Sequence, residues 1–205
     1  MSKLPTLALA SLLALATSAH AAAPPERLRG TIEAVEGGGF TLKTLDGKSQ
    51  RVTLAPDAKV SWVVPAQLDQ IKDGVFIGTA TKGEPPIALE VVLFPESMRG
   101  TGEGHYDWDM LPDHTGSAAV KSTMTNGTVK ASGTGAERTL TVDYGKGQSM
   151  KILVPPQAPV VTFEPADAAA IAAGAKAFVV AARGEDGTIT ARRVAVGKDG
   201  LTPPM

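Results

Sequence analysis

The side chains best suited to chemistry lie in one short string, HYDWDMLPDH, which supplies His105, Asp107, Asp109, Asp113 and His114. Imidazole nitrogens mixed with carboxylate oxygens suit a divalent transition metal such as zinc, nickel, copper or iron, and Glu103 offers a further oxygen. The spacing restricts that reading. Alternate residues of a strand stand about 6.5 Å apart, so one ion requires a bend, which Pro112 and the glycines at 100, 102, 104 and 116 permit. A calcium loop is excluded, because Pro112 sits where the sharp turn needs glycine and no glutamate follows at the closing position.

The same string has a second reading in terms of packing. His105, Asp107 and Asp109 alternate with Tyr106, Trp108 and Met110, so an extended strand shows one acidic and imidazole face and one aromatic and apolar face. The aromatic face then lies on the rest of the protein and the polar face stays wet. We adopt this second reading and keep the metal as the alternative. Trp62 is a third candidate, for ligand stacking or for sealing a seam between domains. Its counterpart in the repeat described below is Thr162, so the fold does not demand a large residue there.

Nothing points to catalysis. The chain has no cysteine, no G-x-S-x-G elbow, no S-x-x-K, no H-E-x-x-H and no phosphate loop. The triplet Gly37 to Gly39 precedes no helix and reads as a loose turn. His105 with Asp107 has acid-base character but no identifiable nucleophile beside it. We therefore expect a protein that is not an enzyme and holds no cofactor beyond a possible divalent transition metal.

These residues sit in an unrepeated connector, residues 95–126, between two copies of one module. Gly47, Pro56, Val60, Pro65, Ile71 and Gly74 recur as Gly147, Pro156, Val160, Pro165, Ile171 and Gly174, a constant offset of 100. The openings GTIEAV and GTVKAS match, as do the closings IALEVV and TITARRV. The modules span residues 29–94 and 127–197, preceded by a lead segment 22–28 and followed by a tail 198–205. Within each, runs of Thr and Val broken by Asp46-Gly47-type turns give five or six short strands, with a short helix between the fourth and fifth that Gly74 or Gly174 ends. So few strands leave two unsatisfied edges, which closure removes. The expected class is all-β: two tandem small OB-like β-barrels, each with one short helix, joined by an extended aromatic connector.

Residues 1–21 carry Lys3, an apolar run from Leu7 to Ala16 and small residues at Ala19 and Ala21, the layout of a secretory signal cleaved after Ala21. The run is too short for a bilayer, which needs about 20 residues. No later stretch approaches that length, so the chain is expected to be exported to the periplasm and not membrane-spanning. Removing the signal takes the 20 basic residues to 19 against 21 acidic, a formal charge of −2. That balance gives no case for nucleic acid or anionic lipid.

The motifs GTIEAV, TLKTLDGK, IKDGVF and TITARRV resemble those of small exported bacterial β-modules classed as domains of unknown function, over both halves of the chain. The centre RGTGEGHYDWDMLP, the run STMTNGTV and the end VGKDGLTPPM are similar to a family of proteobacterial periplasmic proteins. Some of its members carry a metal-transporter permease label. A permease role conflicts with the lack of spanning segments, so the resemblance implies location and architecture and supplies no catalytic residue. The function expected is a non-catalytic periplasmic binding or interaction protein. Its partner is an unidentified envelope protein or a small ligand, held at the connector and the barrel seam by Trp62, Tyr106 and Trp108. The alternative is metal handling through His105, His114 and their neighbouring carboxylates.

Overall fold

The computed structural model describes residues 24–116, 118–133 and 138–205. The proposed signal lies outside them. The strands are β1 Glu26–Glu36, β2 Gly39–Thr44, β3 Ser49–Pro65, β4 Phe76–Lys82, β5 Ile87–Leu93, β6 Gly104–Leu111, β7 Val120–Ser132, β8 Arg138–Asp143, β9 Ser149–Val154, β10 Val160–Pro165, β11 Lys176–Arg183 and β12 Ile189–Gly197. The protein is all-β, and its strands close into OB-like barrels. Among the described residues, no helix is long and apolar enough to cross a membrane.

Two features of the sequence reading change. The short helices are single 3-10 turns, Leu68–Gln70 and Ala168–Ala170, each followed by a buried isoleucine, Ile71 or Ile171. In the first repeat the third and fourth strands fuse into the 17-residue β3. The second repeat keeps them apart as β9 and β10, because Pro155 and Pro156 have no N–H to donate to a ladder.

The larger correction concerns which strands close which barrel. One ring is β1–β2–β3–β12–β11, closed by the parallel pairing of β12 with β3. The other is β4–β5–β9–β8–β7, closed where Ile87 faces Leu153 and the Leu153 N–H donates to the Pro86 carbonyl at 3.0 Å. Neither repeat closes on itself. Each barrel takes three strands from one copy and the final hairpin from the other. Residues 29–94 and 127–197 remain the units of sequence repetition, while the closed barrels cut across them. The cause is β3, which at about 3.3 Å per residue carries the chain out of the first barrel before the hairpin β4–β5 begins.

The join obeys a pseudo-two-fold axis. Strand β3 meets its own counterpart β10 antiparallel, with Val63 opposite Phe163, Ser61 opposite Pro165 and Pro65 opposite Val161. Equivalent residues thus pair about a centre, as at an isologous dimer interface. The turns are exchanged too. Gly74 and Gly174, both at positive φ (85° and 86°), donate their N–H groups across the join, Gly74 to Val129 O and Gly174 to Ile32 O, each at 2.8 Å. Ile171 then plugs the first barrel beside Ile32, Phe40 and Val194, and Ile71 plugs the second beside Ile77, Leu140 and Ile152. Burial of each isoleucine stabilises by roughly 1.5–3 kcal/mol.

Between the barrels, on the outer face of β3, β5, β10, β11 and β12, lies a third apolar cluster of Val63, Val92, Val161, Phe178 and Ala195, closed by Met205. This face positions the site.

Candidate functional site

Side chains alternate across a strand, so the residues that point away from the barrel interiors form a second surface. At the join this surface is concave. Phe178 and Val180 of β11, Arg193 of β12, Phe163 of β10, Gly78 of β4 and Asn126 of β7 bound a cleft of about 460 Å³, with Tyr106 and Trp108 on β6 along one side. Its size lies within the roughly 300–1,000 Å³ of small-molecule sites.

The repeat explains why the cleft exists. Arg29 pairs with Phe178 on one side of the axis, and Asn126 pairs with Gly78 at the equivalent place on the other. Where one copy has a phenylalanine the other has none, and the space goes to Phe94 and the Asn126 amide. A Cβ at Gly78 would meet Asn126 Oδ1 at 2.6 Å and the Phe94 ring at 2.9 Å. Asn126 is 6 % exposed; its Nδ2 donates to Thr101 O at 3.0 Å and to the Tyr106 hydroxyl at 3.2 Å, while its Oδ1 has no partner among the described residues.

Strand β6 pairs with β7, as an aromatic connector folded onto the sheet, and a bulge between Asp107 and Met110 breaks its alternation. The bulge is what the two-face reading lacked. It turns Asp109 to the side of Trp108, so that both touch one guanidinium. Arg27 lies 4.1 Å from the Trp108 ring centre, and its Nη2 and Nε reach Asp109 at 2.7 and 2.9 Å. Arg29 Nη1 reaches the same carboxylate at 2.8 Å, stacks 4.9 Å from Phe178, and donates from Nε to Met205 O at 2.7 Å. Burial raises the Asp109 carboxyl, but the two guanidiniums outweigh it and hold it below the ordinary carboxylate range. Burial likewise raises the Tyr106 phenol.

Beneath this surface Glu90 of β5 is 1 % exposed. Burial pushes its carboxyl up to about 8, against the Ala80 N–H at 3.1 Å and the charge of Arg29, which pull it down. Its Oε2 has no partner among the described residues.

The metal candidates do not converge. His105 bonds through Nδ1 to Thr125 Oγ1 at 2.9 Å and packs on Tyr144. Asp107 is exposed, with Lys121 at 3.5 Å. Asp113 pairs with Lys82 and accepts from the Thr115 N–H at 2.9 Å, which hold it down at about 2. His114 lies in the exposed turn after β6. Among the described residues no three His, Asp or Glu side chains group as metal ligands. The physical reason is that Asp107, Asp109 and Asp113 each face a cation from another strand. Trp62 packs against the core of the first barrel, away from the cleft. Tyr106 and Trp108, by contrast, both line it.

The sequence reading missed Arg27, Arg29, Gly78, Asn126 and Arg193. One signal was present: the offset that matches Gly74 with Gly174 also sets Gly78 against Phe178, a change from nothing to a ring at one position of an otherwise regular repeat. No family model, curated protein or solved structure matches this chain, so its function is argued from the cleft itself.

Proposed function

We propose that this is an exported, non-catalytic binding protein that holds a small, largely apolar ligand in the cleft between its two strand-exchanged barrels. The observation that carries the reading is the cleft: an apolar hollow of about 460 Å³ on the pseudo-two-fold axis, with aromatic side chains on both walls. Apolar pockets with a few placed polar groups are the usual form of a ligand site. Metal handling has no comparable support, since the carboxylates it requires already face lysine or arginine. Nucleic acid has none either, because single-strand binding uses a basic groove with stacking platforms, and the one arginine stacked on the connector, Arg27, is neutralised by Asp109. Residues 1–21 support export to the periplasm. Peptide sequencing of the protein recovered from the cell envelope then begins at Ala22, and a chain retaining Met1 would defeat that part.

The test of the site is titration of the purified chain with N-phenyl-1-naphthylamine, an apolar dye that brightens when enclosed. A Trp62→Phe background leaves Trp108 as the only indole reporter. Saturable binding that changes Trp108 emission is expected. Dye uptake that fails to saturate, or that leaves Trp108 emission unchanged, would overturn the reading.

A further inference from the structure

The cleft is apolar but not electrically neutral. Among the described residues, two arginines and no acidic side chain line it. One of them, Arg27, is held by Asp109. The other, Arg193, is exposed and has no ion pair or hydrogen bond among the described residues. The register sets it beside Lys59 of β3, whose amine is likewise unpaired among them. Register partners on neighbouring strands project from the same face, so Arg193, which lines the cleft at the first barrel's wall, has a second free cation beside it just outside the lining.

The pseudo-two-fold makes this one-sided. Val194 pairs with Val60 as Val91 pairs with Val160, so the counterpart of Arg193 in the other half is Glu90. That residue is 1 % exposed and lies beneath the cleft, not among the residues that line it. On the second barrel's wall the polar group offered is instead the Asn126 carbonyl oxygen, enclosed and without a partner among the described residues. A free cation attracts an anion, and an enclosed acceptor without a donor is costly until one is supplied.

Resting on the seam cleft as the binding site, we infer that its ligand is an amphipathic hydroxy-carboxylate. Its apolar body lies on Phe163, Phe178 and Trp108, its carboxylate meets Arg193 and Lys59, and a hydroxyl at the other end donates to Asn126 Oδ1.

Three probes of equal length separate the claims: ω-hydroxydodecanoate, dodecanoate, which lacks the hydroxyl, and dodecanediol, which lacks the carboxylate. Each is titrated calorimetrically below its micelle concentration against the full chain. The hydroxy acid should bind about two- to fivefold more tightly than the diol, the range of a solvent-screened ion pair. It should also bind more tightly than dodecanoate. Arg193→Gln, an exposed change that leaves folding intact, should remove the preference over the diol while the diol still binds. Equal affinity of hydroxy acid and diol, or of hydroxy acid and dodecanoate, overturns this inference and leaves the cleft as an apolar site. Failure of all three to bind, with the dye also excluded, overturns the site as well.

Discussion

Replacing Glu90 by glutamine tests the interior of the shared sheet with one atom changed. The carboxyl is 1 % exposed, accepts a single N–H from Ala80 at 3.1 Å, and has one oxygen without a partner. Burial holds it protonated up to about 8, while in the unfolded chain it ionises near 4.5. Between those values the folded state keeps a proton that the unfolded state has released, so stability falls as pH rises. The contribution is whole below about 4.5, declines through the interval, and is flat above about 8. At about 1.4 kcal/mol for each pH unit of separation, the decline totals on the order of a few kcal/mol. Glutamine keeps the acceptor for Ala80 and cannot ionise. Urea unfolding followed by tryptophan emission at pH 5, 6.5 and 8.5 should therefore show parent and variant alike at pH 5, with the variant ahead by a few kcal/mol at pH 8.5. Asp46 and Asp113, both held down at about 2, lose their contribution only below the ordinary carboxylate range, outside this window, and cancel between the two proteins. Parallel stability curves across the three pH values would show that Glu90 ionises normally and that the burial argument is wrong.

Three further outcomes follow from the same structure. A chain ending at residue 116 has neither β11–β12 to close the first barrel nor β7–β9 to close the second, so it should not give a monomer with a cooperative melt; one that melts cooperatively as a monomer would refute the exchange. Gly78→Ala should cost about 1–3 kcal/mol through overpacking, because its Cβ meets buried Asn126 at 2.6 Å, and should weaken dye binding; unchanged affinity would place the dye elsewhere. Asp109→Asn leaves two guanidiniums facing each other without their shared carboxylate, at a cost of about 1–2 kcal/mol for a partly exposed network, and the loss should shrink in high salt; a salt-independent loss would mean packing, not charge, holds the connector.

The strands and their turns were legible because they are local matters. Alternation, Asp46-Gly47 and the matched Gly74 and Gly174 report on a few neighbouring residues, and the structure puts strands and tight turns at those places. Closure is not local. The residues that pair β12 with β3 are indistinguishable from those that would have paired β5 with β3, since the two hairpins are copies of each other, so the periodicity was silent about which copy a barrel would use. The candidate site failed for a similar reason. Tyr106 and Trp108 were visible as an aromatic pair on one face of a strand. The bulge that turns Asp109 to join them, and the arginines 82 residues or so away in sequence that bind it, belong to pairing between strands. Asn126 gave no sign at all, because its importance comes from what Gly78 lacks.

The exchange of final hairpins also sets an order of events during synthesis. After β1, β2 and β3 have emerged, their barrel must wait for β11 and β12, and β4 and β5 must wait for β7 to β9. Most stabilising contacts therefore join residues far apart along the chain, which slows folding. A polypeptide still leaving the ribosome cannot finish its first barrel before β12 has been made. For a chain that crosses a membrane as an open strand, as proposed for this one, that delay is useful: the first three strands stay threadable until β11 and β12 have been made.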